Sequence, residues 1–276
     1  MTTGEAAPPG NGKRGSLPFD TSVAHQARIY DYLLGGKDNY AADRVAGDKM
    51  LEVYPDTAFT ARANRAFLGR AVRYLAGEAG IRQFLDIGTG IPTAGNTHEV
   101  AQGIAPEARV VYVDYDPVVL AHARALLTSE TEGATEYIDS DLRDTGKILA
   151  GAGQLLDFTK PVAVTLLSIL HAMIDADEPY AIVATIMDAV PPGSYLAISH
   201  AGTDLIAPEE LQGLYDSWKG KLQQRMQWRT REEVARFFAG MDLVDPGLVR
   251  VDDWRPEPGT GDTSRSGMWA AIGRKH

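Results

Sequence analysis

The sequence contains no cysteine. That excludes disulfides, cysteine-ligated zinc, iron–sulfur clusters and a thiol nucleophile, and makes the reducing cytoplasm the expected location. No apolar run reaches the roughly 18 residues of a membrane span. Residues 1–16 lack the apolar segment of a secretory signal and read as a disordered leader of Gly, Pro, Ser and small polar residues. Basic residues are also in deficit, 27 Lys and Arg against 37 Asp and Glu, for a net charge of −10. Such a chain has little with which to displace the counterions of a phosphate backbone, so nucleic acid is a disfavoured partner and no membrane partner is expected. The six histidines show no metal-ligand spacing, and no metal is assigned.

What the chain does have is 276 residues, 44% of them hydrophobic, enough for one large α/β domain with an appendage. Apolar spacing predicts helices over 21–34, 41–53 and 58–79, a helical extension or lid occupying 17–81. Gly35-Gly36 stops the first helix, and Tyr54-Pro55-Asp56 the second. From residue 82 the pattern alternates. Strands are expected over 83–87, 109–114, 135–139, 162–167 and 194–199, with helices over 94–104, 117–129 and 179–190 between them. That alternation predicts a mostly parallel sheet covered on both faces. A helix pair follows residue 205, and stretches 247–252 and 268–273 suit an antiparallel hairpin closing the sheet.

The first strand runs into Asp86-Ile87-Gly88-Thr89-Gly90-Ile91-Pro92-Thr93. A Gly-rich turn at the first strand–helix junction is where open α/β sheets bind ligands. The dinucleotide fingerprint fits poorly. Thr93 stands where its third glycine belongs, Pro92 removes a backbone donor, and Asp86 puts a carboxylate where a diphosphate would lie. No GK[ST] follows, which excludes a P-loop. A cationic ligand suits Asp86 better. Asp114 ends the second strand, placed to accept ribose hydroxyls. Asp141 follows the third, placed for an adenine amine with Leu142 and Tyr115 flanking the ring, although Asp139 and Asp144 compete for that role. Asp116 is the better cap for the helix after strand two, which leaves Asp114 free.

These motifs resemble class I S-adenosylmethionine-dependent methyltransferases across 82–276. The segments Ala27–Tyr40 (ARIYDYLLGGKDNY), Ala63-Asn64-Arg65 and Gly88–His98 (GTGIPTAGNTH) are more closely similar to an actinomycete S-adenosylmethionine-binding family formerly listed as a domain of unknown function. The resemblance implies a Rossmann-like seven-stranded sheet with an antiparallel C-terminal strand. It also implies S-adenosyl-L-methionine as methyl donor, S-adenosyl-L-homocysteine as product, and an undefined acceptor.

The candidate cofactor-binding residues are then Asp86, Gly88, Thr89, Gly90, Asp114, Tyr115, Asp141, Leu142 and Ser168. Thr93 and Asn96 serve equally well as helix caps or as contacts to the methionine moiety. Tyr32, Lys37 and Asn39 are either solvated turn residues or a closure over the cofactor site. Arg62 and Arg65 suit a solvated helix face or a carboxylate partner. His171 lies after strand four in a stretch, Leu170–Glu178, that resembles small-molecule O-methyltransferases whose histidine takes the acceptor's proton. It is the candidate catalytic base, against a purely packing role, and the tryptophan of that motif is missing here. The absence of cysteine disfavours cytosine C5 as acceptor. The lack of an Asn/Asp-Pro-Pro-aromatic run after strand four disfavours amino groups of bases. The reading is methyl transfer to oxygen or nitrogen of a small molecule, with the N-terminal helices and residues 203–230 as pocket walls. The alternative is a non-catalytic module that holds S-adenosylmethionine or its product.

Overall fold

The computed structural model describes residues 20–126, 133–218, 225–257 and 265–276. The expected leader, the end of the helix expected over 117–129 and part of the 203–230 wall lie outside them.

Three helices open the described chain: α1 (Gln26–Leu33), α2 (Ala41–Val53) and α3 (Thr57–Arg73), the last continued by a π-turn over Tyr74–Glu78. Helix α1 starts five residues later than its apolar spacing suggests, with His25 as its N-cap in extended backbone. At α2, Asp43 reaches back to accept the Tyr40 N–H at 2.8 Å.

The alternating part contains β1 (Gln83–Ile87), α4 (Thr97–Ile104), β2 (Arg109–Asp114), α5 (Pro117–Leu126), β3 (Ala134–Asp139) and α6 (Thr145–Ala152). It continues through β4 (Ala163–Leu167), α7 (Pro179–Asp188), β5 (Tyr195–Ala201), α8 (Pro208–Trp218) and α9 (Arg231–Ala235). The last strands are β6 (Met241–Leu243), β7 (Val249–Arg250) and β8 (Met268–Lys275).

The sheet order is β3-β2-β1-β4-β5-β8-β6, with β7 also paired to β8. The five strands from β3 to β5 run parallel, and β8 is antiparallel to its neighbours. The seventh position is therefore shared by two short strands, β6 pairing with one end of β8 and β7 with the other. Three residues of β6, two of them exposed, carry too little alternation to announce a strand.

Strands β1 and β4 are buried at every residue, as central parallel strands covered on both faces must be. One core lies on each side. Ile148, Leu166, Ile186 and Ile198 belong to one. Phe67, Leu75, Phe84 and Trp254 belong to the other, so α3 packs in the same core as the sheet. The strand order reverses at β1, between β2 and β4, and opens a crevice above the carboxyl ends of these strands.

Candidate active site

The crevice is built from the turn after β1. Gly88 donates to the Val113 carbonyl at 2.8 Å. Its φ is +76°, and a Cβ there would stand 2.6 Å from Ile169, so only glycine fits. Gly90, at φ +66°, has nothing within 4 Å of where a Cβ would be, which leaves its face open to a ligand. Its N–H donates to Asp114 Oδ2 at 2.9 Å. The other Asp114 oxygen accepts from Tyr115 and Asp116 N–H groups at 2.8 and 2.9 Å. Burial raises the Asp114 pKa above the usual carboxylate value, against the opposing pull of these N–H groups. Asp116 caps α5, accepting the Val118 N–H at 2.7 Å, as expected.

Asp86 ties the crevice floor together. Thr97 and Thr165 hydroxyls donate to its two oxygens at 2.6 and 2.7 Å, joining β1 to α4 and β4. Burial raises its pKa too, with the two hydroxyls opposing. Arg65 is half-buried and lines the groove. Its guanidinium donates to the Thr93 and Ala94 carbonyls and to Asn96 Oδ1, clamping the loop from α3. Asn96 faces the groove, whereas Thr93 braces the loop through its backbone and is absent from the lining.

Gly88, Thr89, Gly90, Asp86, Asp114 and Tyr115 line one continuous groove, with Ser168 at its far side. Asp141 and Leu142 line an adjoining recess that shares Gly88, Asp114 and Tyr115 with it. Among the competing acids, Asp144 caps α6 and Asp139 is exposed outside the recess. Arg143 pairs with Asp141 at 3.0 Å.

Tyr32, Lys37 and Asn39 are not brought to the groove. Tyr32 points to α2 and donates to Asp48, Lys37 is exposed, and Asn39 donates to Asp31 and the Gly36 carbonyl within its own turn. Gly36 packs so tightly on Asp31 that this turn folds back on α1 rather than over the sheet. The preceding residues do the covering. His25, Gln26, Ala27 and Tyr30 line the groove. They are held by a buried contact of 2.6 Å between His25 Nδ1 and Asp116 Oδ2 and by Arg28 on Asp43.

A relay fixes the same helix to the sheet rim. Ser168 N–H donates to Ser199 Oγ, that hydroxyl to Asn64 Oδ1, Asn64 Nδ2 to the Tyr30 hydroxyl, and Tyr30 to the Ala61 carbonyl. Ser168 adopts φ +58°, a left-handed conformation that non-glycine residues rarely hold without a surrounding that imposes it.

His171 is buried beyond this rim, with Gln26 Nε2 2.7 Å from its Nε2. The same amide nitrogen donates to the Ser168 carbonyl at 2.9 Å. A carbonyl only accepts, so the NH2 end of Gln26 faces both partners, and His171 receives the bond with its Nε2 lone pair. Burial lowers the His171 pKa to about 4, and the nearby Arg229 charge adds to the effect. This shift has a stability consequence. A histidine depressed from about 6.5 to about 4 contributes its stabilisation fully above pH 6.5 and loses it as pH falls towards 4. At roughly 1.4 kcal/mol per unit the loss is on the order of 3 kcal/mol. Denaturant unfolding of wild type and His171→Gln at pH 7 and pH 4 should show that extra acid loss in wild type alone; parallel slopes would refute a neutral buried imidazole.

A family model described as S-adenosyl methyltransferase matches residues 13–276. The chain belongs to the S-adenosyl methyltransferase family. Two solved structures are similar over nearly its whole length. A DUF574 family protein from Streptomyces avermitilis MA-4680 is 46% identical, with a TM-score of 0.89, over 93% of this chain and 99% of that one. A proposed methyltransferase from Thermobifida fusca YX is 42% identical, with a TM-score of 0.84, over 93% and 96%. No curated protein matches. The protein is thus an S-adenosylmethionine-dependent methyltransferase. The groove suits that cofactor: Gly90 leaves an open backbone face, and a buried carboxylate stands at each of the first two strand ends.

Next to the groove the methyltransferase has a second cavity, of about 100 Å³, under α1. Gln26, Tyr30 and Ser168 border both spaces. His171 also lines the cavity, with Leu214, Met226 and Trp228 from the expected 203–230 wall. Ser168, His171 and the 203–230 wall were expected here, whereas Gln26 was not, and the individual apolar lining residues carry chemistry indistinguishable from core packing.

Proposed function

We propose that this methyltransferase moves a methyl group to an oxygen or nitrogen of a small molecule held in the cavity beside the cofactor groove. The observation that carries the reading is the shared border at Gln26, Tyr30 and Ser168, which brings an acceptor-sized space against the groove. A groove sealed on that side would favour the non-catalytic alternative.

When bound, S-adenosylmethionine supplies a methyl group activated by its positive sulfur. The chain's residues then do the rest. Asp114 accepts the ribose hydroxyls, while Asp141, Leu142 and Tyr115 receive the base. Gly88, Thr89 and Gly90 let the backbone approach, and Asp86 and Asn96 face the cationic end. Helix α1 excludes water and fixes the acceptor for in-line displacement, where alignment is the main source of rate. As a hydroxyl oxygen gains its methyl group, its hydrogen becomes strongly acidic. His171 is neutral at pH 7, and even a base of pKa about 4 takes such a proton.

The test is label transfer. The protein is incubated with methyl-labelled S-adenosylmethionine and a panel of small neutral hydroxyl and amine compounds. Label should enter the extractable organic fraction in step with S-adenosylhomocysteine, at a rate flat from pH 6 to 8. Cofactor binding with no product above the blank for any acceptor would support the non-catalytic module instead.

A further inference from the structure

The cavity walls come from Ile29, Leu33, Met50, Ala61, Leu214 and Met268, and among the described residues the remaining lining includes no Asp, Glu, Lys or Arg. A charged acceptor would be stripped of water there without a counter-charge. An engineered apolar cavity of about 150 Å³ holds benzene. A space of about 100 Å³ that borders the groove therefore has room for one ring at most, with its substituent left at the border.

Most polar atoms around the cavity are occupied; the buried His171 Nδ1 has no hydrogen-bond partner, but as the N–H of the neutral ring it is a donor. Tyr30 donates to the Ala61 carbonyl, Tyr54 to the Arg265 carbonyl and Thr57 to the Tyr54 carbonyl. Thr60 Oγ1 accepts from Gly267. Gln26 is different. Its NH2 end is committed to the Ser168 carbonyl and His171, which turns Oε1 away from them, and this oxygen is buried with no hydrogen-bond partner. A buried acceptor left unmet is costly, and it stands on the residue that borders both cavity and groove.

Resting on the methyl-transfer reading above, we infer that the acceptor is a neutral single-ring molecule whose hydroxyl donates its hydrogen to Gln26 Oε1 while the ring fills the apolar cavity. The bond fixes the oxygen at the border between the two spaces, with a lone pair free towards the groove. In the reaction an O–CH3 bond forms as the S–CH3 bond breaks. The sulfur keeps the electron pair and loses its charge, and the hydroxyl proton moves onto Gln26 Oε1 as the amide passes an Nε2 hydrogen to the His171 Nε2 lone pair that already accepts from it. Gln26 is a specificity-determining residue in this scheme, since it rejects a ring that lacks a donor.

The test uses the full chain saturated with S-adenosylhomocysteine and three probes of one size: phenol, toluene and benzoate. Calorimetry should show phenol bound at least about tenfold more tightly than toluene, and benzoate not bound. Gln26→Leu should erase the preference for phenol over toluene. Met50→Trp, which fills the cavity from a half-buried position, should abolish phenol binding while the nucleoside titration stays intact. Toluene binding as well as phenol, benzoate binding in preference to both, no phenol binding, or a preference that survives Gln26→Leu would each overturn the inference. Failure of S-adenosylhomocysteine itself to bind would instead strike the cofactor site, so the two readings fail separately.

Discussion

Asp114→Asn should weaken S-adenosylmethionine binding by on the order of 1–3 kcal/mol, about 5- to 150-fold, while the protein stays folded. The amide oxygen can keep the bonds that Oδ1 accepts from Tyr115 and Asp116. The amide nitrogen, however, would replace Oδ2, which accepts the Gly90 N–H. Two donors would then face each other, and no acceptor would remain there for a ribose hydroxyl. The loss should appear in calorimetry as reduced affinity with unchanged stoichiometry. Because burial raises the Asp114 pKa, wild-type affinity should also fall on acidification earlier than an ordinary carboxylate would allow. Unchanged affinity in the variant would mean that the ribose is held elsewhere.

Arg229→Met should lower the melting temperature by on the order of 10 °C, from a loss of roughly 2–5 kcal/mol. Arg229 is fully buried, and its guanidinium donates to the Leu170 and Met173 carbonyls, to Asp175 and to His200. It thereby pins the segment after β4, which carries His171, to the end of β5. Methionine fills the volume but leaves the Met173 carbonyl unmet and takes the guanidinium from Asp175 and His200, while the Leu170 carbonyl keeps the Met173 N–H. A second effect follows from charge. Arg229 helps to hold the His171 pKa down, so the variant's His171 should titrate closer to 6.5, as read by NMR of the ring protons. A melting temperature unchanged from wild type would mean that the desolvation of the guanidinium cancels all its bonds.

The groove half of the candidate site was legible because it rests on backbone chemistry. Glycines at +φ and carboxylates at strand ends are few, and their spacing follows from the strand–turn–helix unit itself. Gly88, Gly90, Asp114 and Asp141 accordingly sit where the spacing placed them. The covering half was not. The segment around GGKDNY was singled out, but its polar turn drew attention while the preceding helix does the covering. Gln26 and Tyr30 are four residues apart and share one face of α1; Tyr32 lies on another and meets Asp48 on α2. Which face turns to the sheet is decided by long-range pairs, His25 with Asp116 and Asn64 with Ser199, that no local pattern announces. The loop contacts of Arg65 were hidden for the same reason: these partners are backbone carbonyls of a distant loop. The edge of the sheet was hidden differently, because β6 and β7 are too short to carry a period.

The most direct measurement is a crystal structure with S-adenosyl-L-homocysteine bound. The nucleoside should lie across Gly88–Gly90, its ribose on Asp114, its adenine beside Leu142 and its sulfur turned towards Gln26 and Ser168. A nucleoside found outside this groove, or one whose sulfur faces away from the apolar cavity, would contradict the account.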